Sequence, residues 1–299
     1  MLLGEHAVLH GQHALVCALD KRITVTLTPR DDQQVIITSQ HGQFATQLSH
    51  ITLTKPFQFV LGALQHYRAY LKTGCDVVIE SGFSDQIGFG SSAAVTVAMV
   101  AVIRSWLSRS VAQTTLLREA RTVVRSVQGL GSGADVAASV YGGVVAYRAQ
   151  PLQVENFSHV HPITVIYSGY KTPTVDVVKR VQQAFISHPE LLQQIYISIG
   201  ACTTRAIQLL REQNLAACGE MMNIQQGMME ALGVSTPFLN AIITTLRQQP
   251  GMSGAKISGS GLGDCIIGWG ADTAPAFTER HVRVIPTTIS TLGVLVRGR

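Results

Sequence analysis

The 299-residue sequence contains few charged residues, few aromatic residues and no long uninterrupted hydrophobic run. Charged residues account for 14% and aromatic residues for 6% of the chain, whereas 46% of the residues are hydrophobic. A chain this apolar is not generally disordered, because it can bury a large core. The longest nearly apolar run, residues 93–103, is too short to span a bilayer, and the opening MLLGEHAVLHG turns polar too early for a signal peptide.

Cysteine is also scarce, and positive charge is only slightly in excess. The five cysteines show no C-x-x-C pair and no spacing with histidine that is typical of a metal site, so they are expected to be buried in a reducing compartment. The 23 lysines and arginines exceed the 18 acidic residues by five without forming a cluster. We therefore predict a cytoplasmic protein that binds neither nucleic acid nor a membrane, and whose charge suits a small anionic substrate.

Hydrophobic periodicity predicts strands followed by helices in the first half and a helical middle between strands in the second half. Such an order favours an α+β fold over a doubly wound parallel sheet. The apolar pattern lapses around residues 149–159, where we place a boundary between a domain of residues 1–155 and a domain of residues 156–299. The predicted strands are 14–19, 23–27, 35–38, 77–79, 143–147, 163–167, 254–258, 264–269, 281–285 and 292–297. The predicted helices are 56–72, 91–107, 116–127, 174–187, 190–211, 214–231 and 236–248.

Residues 88–94, GFGSSAA, precede the predicted helix at 91–107 and carry the strongest local signal. Glycines let a ligand approach the backbone, and the start of a helix offers unpaired N–H groups and the positive end of its dipole. The segment therefore predicts a phosphate site with Ser91 and Ser92 at the anion or at its Mg²⁺, or else a serine that only caps the helix. It is not a Walker A loop, because G-x-x-x-x-G-K-[ST] does not occur in the sequence.

Residues 129–143, GLGSGADVAASVYGG, place one carboxylate among small residues. Asp135 is the only acidic residue between Glu119 and Glu155. Either it faces a substrate hydroxyl as a base or electrostatic partner, or it caps the segment that follows.

Residues 255–270, AKISGSGLGDCIIGWG, predict two strands joined by a glycine-rich turn. Gly259, Gly261 and Gly263 would let backbone amides face an anion, and a flexible hairpin is the alternative. Lys256 completes an S-x-x-K pattern with Ser253, but a lysine that enters a strand and lacks the partner motifs does not indicate a serine hydrolase.

Taken in order, these segments resemble the motifs of the GHMP kinase superfamily, named for galactokinase, homoserine kinase, mevalonate kinase and phosphomevalonate kinase. Its first motif resembles GEHAV at 4–8 with HG at 10–11, its second GFGSSAA, and its third residues 256–265. The resemblance covers nearly the whole chain. It implies a two-domain α+β fold, with an N-terminal ATP-binding domain like the second domain of ribosomal protein S5 and a ferredoxin-like C-terminal domain.

The resemblance also implies an ATP-dependent kinase that acts on a small molecule with the help of Mg²⁺. Asp135 corresponds to the acidic residue near the acceptor hydroxyl, and Ser92 to the serine that reaches the metal. The residues implied in ATP binding are Gly88, Gly90, Ser91, Ser92 and Ala93. Those expected to bind the acceptor are Glu5, His6, Lys171, Gly259, Ser260 and Gly261.

Two members of the superfamily compete for this sequence. GEHAVxHG resembles mevalonate kinase, whereas GSSAAVTVA, GSGADVAASVYGG and GDC resemble phosphomevalonate kinase. A phosphorylated acceptor needs a second set of cationic donors. The best basic candidate is Lys171, followed by Arg125, and the alternative for Lys171 is a solvated turn residue. We predict a mevalonate kinase of isoprenoid precursor biosynthesis, with phosphomevalonate kinase as the alternative.

The sequence departs from the family pattern at three points, and the first two leave room for a nucleotide or metabolite sensor without turnover. The first-motif lysine would stand about two residues before Met1, so the start is expected to be truncated or the lysine to be absent. The expected Mg²⁺ glutamate is Val124, and the usual proline before the second motif is replaced by SDQI at 84–87. Because Asp135 and both serines are present, an enzyme is favoured. Methionines at 221, 222, 228 and 229 fit a core better than a dimer surface, so a homodimer stays open.

Overall fold

A computed structural model describes residues 1–83, 89–158, 161–271, 275, 277 and 279–298. The chain divides into two compact units whose segments alternate along the sequence. The first unit contains residues 1–20, 85–89 and 142–291, and the second contains residues 21–84, 90–141 and 292–299. The boundary predicted after residue 155 stays a prediction.

Eleven strands and eight α-helices lie within the described residues. The strands are β1 (Ala14–Cys17), β2 (Ile23–Pro29), β3 (Gln34–Ser39), β4 (Gly42–Gln47), β5 (Cys75–Ser81), β6 (Val144–Ala149), β7 (Leu152–Phe157), β8 (Ile163–Tyr167), β9 (Gly254–Ser258), β10 (Cys265–Trp269) and β11 (Arg283–Ile285). The helices are α1 (Gln58–Tyr67), α2 (Ser91–Trp106), α3 (Gln113–Gln128), α4 (Ala134–Tyr141), α5 (Thr174–Ala184), α6 (Pro189–Arg211), α7 (Leu215–Ala231) and α8 (Pro237–Arg247).

The second unit packs α1 to α4 with one four-stranded sheet in the order β2-β5-β3-β4. β3 and β5 run parallel, and the other neighbours are antiparallel. Because α2 is apolar on almost every side, it is the central helix, and only Ser105 among its residues is exposed. Gly62 lets α1 approach α3, since a Cβ there would lie 2.6 Å from a methyl of Val127.

The first unit holds two antiparallel sheets, β1-β6-β7 and β11-β8-β10-β9. Strands β8 and β10 are buried along their whole length, so they read as continuous apolar runs rather than as alternating patterns. Helices α6, α7 and α8 bury their apolar faces in the cores that cover this second sheet. Met222 and Met229 are buried, which confirms the core interpretation of the α7 methionines.

The α+β class is confirmed, and most predicted elements lie within a few residues of their observed bounds. β4 and β7 have no counterpart in the sequence analysis. β4 is half-exposed and has one large apolar residue, and β7, in which Leu152 and Val154 alternate with polar residues, lies in the segment where we placed the domain boundary. The strand predicted at 292–297 is wrong: these residues carry no strand, and the Val294 N–H donates to the Val140 carbonyl at the end of α4. None of the described helices combines the length and the apolar character that a membrane crossing requires.

Candidate active site

The start of α2 has the geometry of an anion-binding helix terminus. Gly90 precedes the helix in the left-handed conformation with φ 71°, and no side chain caps the helix there. Ser91 and Ser92 are the first two helical residues, so the alternative of a serine that caps this helix is not what the structure shows. The backbone N–H groups of Ser91, Ser92 and Ala93 are thus among the donors that a helix leaves without intrahelical partners. Gly88 and the SDQI run before it lie outside the described residues.

Asp135 lies beside this helix start, within the same compact unit. It is the second residue of α4 and is exposed, while the Ser132 hydroxyl accepts the hydrogen bond of the Ala134 N–H at the beginning of that helix. A Cβ built on Gly90 would lie 3.4 Å from the Asp135 Cβ and 3.8 Å from its Oδ2. No described residue donates a hydrogen bond to the Asp135 carboxylate or forms an ion pair with it. The carboxylate is therefore free to meet a ligand bound at the start of α2.

Val124 occupies the position at which the family pattern places a carboxylate for Mg²⁺. It is 7% exposed on α3, and a Cβ on Gly131 would lie 3.7 Å from its Cγ1. The side chain thus faces the glycine-rich loop that leads to Asp135, but it offers no oxygen to a cation. Among the described residues no group of three or more histidine, cysteine or acidic side chains could hold a metal ion.

In the first unit, Glu5 lies at the centre of a buried polar cluster. One carboxylate oxygen, Oε1, forms an ion pair of 2.5 Å with Lys256 Nζ and accepts a longer hydrogen bond of 3.4 Å from the Gly259 N–H. The other, Oε2, accepts a hydrogen bond of 2.5 Å from the Gln225 side chain. The side chains of Glu5 and Lys256 are 1% and 0% exposed. Both carboxylate oxygens are therefore engaged by protein groups.

His6 follows Glu5 in an uncommon backbone conformation, with φ 60°. Its Nε2 lies 2.9 Å from the Ser260 carbonyl oxygen, which can only accept a hydrogen bond, so Nε2 carries the proton. Burial lowers the pKa of His6 below its ordinary value of 6.5, and hence the ring is neutral near pH 7. In this tautomer Nδ1 keeps a lone pair that can accept a hydrogen bond from a substrate hydroxyl.

The loop after β9 packs against the loop after β8. The Asp264 N–H donates to the Tyr170 carbonyl at 2.7 Å, and the Thr172 hydroxyl donates to the Leu262 carbonyl at 2.6 Å. These contacts hold Lys171 near the loop, where its Nζ lies 3.7 Å from an Asp264 carboxylate oxygen. The Lys171 side chain is partly exposed, so this ion pair leaves it open to a ligand.

Gly261 and Gly263 have positive φ angles, and the loop leaves no room for a side chain at either position. A Cβ on Gly261 would lie 2.5 Å from the Val234 carbonyl oxygen, and one on Gly263 would lie 2.7 Å from the Tyr170 ring. The loop is thus closely packed at these two glycines, and the choice between backbone amides that face an anion and a flexible hairpin stays a prediction. Its geometry brings together five of the six residues expected at the acceptor, namely Glu5, His6, Gly259, Ser260 and Gly261, and places Lys171 on the neighbouring loop.

An open groove of about 380 Å³ lies beside these two loops. It is lined by Tyr170, Thr172, Asp176, Val177, Arg180, Thr236 and Leu262. Arg180, on the exposed side of α5, adds a positive charge that the sequence motifs do not include.

Two family models match the chain in the order that the motifs predict. The model described as the GHMP kinases N terminal domain matches residues 58–143, and the model described as GHMP kinases C terminal matches residues 206–281. Together they cover more than half of the chain. The chain belongs to the GHMP kinase superfamily. The resemblance is confirmed, and membership in this superfamily implies the use of ATP.

Individual relatives of this GHMP kinase match it over almost their whole length. It is 28% identical to the mevalonate kinase of Methanothermobacter thermautotrophicus, over 89% of this chain and 86% of that protein. It is 27% identical to the mevalonate kinase of Saccharolobus solfataricus, over 98% and 95% of the two chains. The solved structure of the Methanococcus jannaschii mevalonate kinase aligns with a TM-score of 0.78 at 20% identity, over 96% and 95% of the two chains. This last likeness confirms the predicted two-domain GHMP kinase fold.

The residues that the sequence analysis did not assign to the site are Lys256, Gln225 and Arg180. Lys256 belongs to the third motif of this GHMP kinase, but its S-x-x-K pattern with Ser253 gives no sign of a contact with Glu5. Its partner stands 251 positions earlier, and Gln225 lies 220 positions from the same carboxylate. The spacing of residues within one segment of the sequence does not indicate contacts between residues so far apart along the chain. A lysine in the middle of a buried strand is the one local sign that a counter-charge must lie near it.

Proposed function

We propose that this chain is an ATP-dependent mevalonate kinase, which transfers the γ-phosphoryl group of ATP to a hydroxyl of mevalonate. The name shared by the curated relatives, which align with 89–98% of the chain, agrees with the sequence-based preference. The observation that carries the chemistry is the exposed Asp135 carboxylate beside the glycine that begins α2. An active site that had lost its activity would have no need to retain this carboxylate together with Ser91 and Ser92, so the sensor is disfavoured.

In the proposed reaction the chain positions groups and stabilises charge, because phosphoryl transfer requires little covalent chemistry from a protein. The N–H groups at the start of α2, following Gly90, bind the phosphate oxygens of ATP, and we propose Gly88 as a further ATP-binding residue. Asp135 accepts the proton of the acceptor hydroxyl as the oxygen attacks phosphorus. The lone pair on Nδ1 of neutral His6 accepts a hydrogen bond from a second polar group of the acceptor.

The described residues are compatible with Mg²⁺ bound together with ATP. The Ser92 hydroxyl, which makes no hydrogen bond to a described residue, is an oxygen donor of the kind that Mg²⁺ prefers. When bound, the ion supplies positive charge that neutralises the phosphate oxygens. Because Val124 replaces the family glutamate, this chain offers the ion one hydroxyl, and the remaining ligands would be phosphates and water.

An unphosphorylated acceptor fits the acceptor end better than 5-phosphomevalonate does. A second phosphate requires several cationic donors that are not already paired with carboxylates. Lys256 is buried against Glu5, which leaves the partly exposed Lys171 and, in the neighbouring groove, Arg180 as candidate donors among the described residues. We propose that Lys171 and the backbone of residues 259–261 bind the carboxylate end of mevalonate.

A coupled assay of ADP release tests this function directly. The acceptors are mevalonate, 5-phosphomevalonate, homoserine and galactose, each with and without Mg²⁺. We expect Mg²⁺-dependent turnover with mevalonate alone. Turnover with 5-phosphomevalonate alone would assign the chain to the alternative kinase, and ATP binding without turnover on any acceptor would favour the sensor.

A further inference from the structure

Lys256 is buried next to the proposed acceptor residues but does not itself face a substrate. We propose that Lys256 is a positioning residue, which by pairing with Glu5 holds the turn that carries His6 against β9 and the loop after it. The identity of the acceptor in this inference rests on the proposed mevalonate kinase function. The contacts themselves do not depend on it.

The cluster around the pair ties the first motif to the third and to α7. Lys256 Nζ donates to Glu5 Oε1 and also to the Ile257 carbonyl. The Gln225 side chain, from α7, donates to Glu5 Oε2 and accepts a hydrogen bond of 3.0 Å from the Gly4 N–H. Three separate segments therefore meet at one carboxylate, and Gln225 also binds the backbone directly before Glu5.

The turn that these contacts hold is not one that the backbone prefers. Gly4 has φ 97° and no space for a side chain, because a Cβ there would lie 2.5 Å from the His13 carbonyl oxygen. His6 adopts φ 60°, which is unfavourable for a residue with a Cβ. Such conformations persist only where the surrounding contacts determine them. The Lys256–Glu5 pair supplies such contacts directly beside the imidazole.

Stability alone does not explain a buried ion pair. Removing two charges from water is unfavourable, and well-packed apolar side chains of the same volume often stabilise a protein as much or more. A charge pair differs from an apolar contact in its directionality, since the ammonium and the carboxylate must meet at hydrogen-bond distance. In this chain the Lys256–Glu5 ion pair therefore orients the segment that carries His6.

Lys256 also acts on the charge of His6. The charged and titratable groups that face the imidazole are Glu5, His10 and Lys256, and the Ser260 carbonyl accepts its proton. Lys256 and His10 favour the neutral ring, whereas Glu5 and the carbonyl favour the charged one. Replacing Lys256 by methionine removes a charge that favours the neutral ring and leaves the buried Glu5 without its counter-charge, so the pKa of His6 changes.

The test compares Lys256→Met with Arg104→Met in the full chain. Arg104 forms a partly buried ion pair with Glu119 in the other compact unit, so its variant makes the same chemical change away from the acceptor residues. For Lys256→Met we expect kcat/KM for mevalonate to fall on the order of ten- to a hundredfold, as displaced positioning groups do, while KM for ATP stays within about twofold. Arg104→Met should lower the melting temperature and leave both parameters within about twofold.

A second measurement follows the His6 imidazole by NMR, with its signal assigned by comparison with His6→Gln. The pKa of His6 should shift in Lys256→Met and stay unchanged in Arg104→Met. If mevalonate kcat/KM falls no further than in the Arg104 variant and the His6 pKa does not move, Lys256 has no positioning role. If the unmodified chain does not phosphorylate mevalonate, the proposed function fails, and the His6 titration alone decides this inference.

Should Lys256→Met not fold, Glu5→Gln takes its place. The substitution keeps the volume of the side chain, and burial already lowers the pKa of Lys256, so the lysine can remain in the core as a neutral amine. We expect a loss of mevalonate kcat/KM in the same direction with KM for ATP unchanged. A Glu5→Gln enzyme with the kinetics of the unmodified chain would overturn the proposal.

Discussion

Replacing Asp135 by asparagine is the most direct test of the proposed chemistry, because the structure separates catalysis from stability at this residue. Asparagine has the same shape and keeps a hydrogen-bonding oxygen, but it is neutral and does not take up a proton. Asp135 is exposed, and no described residue forms a hydrogen bond or ion pair with its carboxylate. The substitution therefore removes no described contact of the folded chain except the charge at the second position of α4.

The two expected effects differ widely in size. Loss of a general base typically lowers kcat by about 10²- to 10⁴-fold, which corresponds to about 2.7–5.4 kcal/mol in the activation free energy. A negative charge in the first turn of a helix stabilises it by only about 0.3–1 kcal/mol. In a chain of this size that amounts to a few degrees in melting temperature at most. A helix-terminal role and a catalytic role are thus distinguishable by magnitude.

The assay is ADP release with mevalonate over a range of ATP concentrations, together with a thermal melt. Glu190→Gln is the matched control, because Glu190 is an exposed first-turn carboxylate of α6 that belongs to neither set of proposed site residues. We expect Asp135→Asn to lose at least about a hundredfold in kcat with KM for ATP nearly unchanged. A variant that keeps a turnover close to that of Glu190→Gln would refute the role of Asp135 as the base.

Three further substitutions test other parts of the site. Ser92→Ala should raise KM for MgATP about tenfold without lowering the melting temperature, whereas Ser105→Ala, at the exposed end of the same helix, should change neither value. Gly261→Ala places a Cβ 2.5 Å from a backbone carbonyl oxygen at φ 93°, so it should destabilise the chain by about 1–3 kcal/mol in denaturant unfolding and lower mevalonate kcat/KM. Gly227→Ala, in the open interior of α7, should instead stabilise it by about 0.5–1 kcal/mol. Because burial lowers the pKa of His6, the unfolded chain takes up the proton first, and the free energy of unfolding should fall as the pH drops below 6.5, less steeply in His6→Gln.

The sequence predicts correctly those helices whose hydrophobic pattern follows directly from their own burial. α2 is apolar on nearly every side and is buried on nearly every side, and α6 to α8 lie within two residues of their predicted bounds. β4 and β7 depend instead on hydrogen bonds to β3 and β6, and their half-exposed residues carry only a short or weak apolar pattern. The strand predicted at 292–297 is wrong for the opposite reason. The segment has β-forming residues, but it has no strand partner among the described residues.

In the candidate site, too, some features follow from neighbouring residues in the sequence, whereas others depend on tertiary contacts. Gly90 and the serines after it form a helix start that the short segment GFGSSAA predicts, and the structure shows the helix beginning at Ser91. The proximity of Asp135 to Gly90 arises from the packing of α4 on α2, which no local pattern specifies. The resemblance to a known superfamily supplied that link because the order of motifs carries information about tertiary contacts that spacing within one motif lacks.

The surroundings of Glu5 and Asp135 give these two carboxylates different chemical properties. Glu5 is surrounded by Lys256, Gln225 and the Gly259 N–H, so its lone pairs are used and its charge is compensated within the protein. A substrate proton or metal ion would have to displace these groups before it reached the oxygen atoms. Asp135 has no such partners among the described residues, and it lies at a helix start that attracts anions. Both residues match motif positions, yet only Asp135 is available to take up a proton, and Glu5 contributes through the backbone that its buried contacts hold in place.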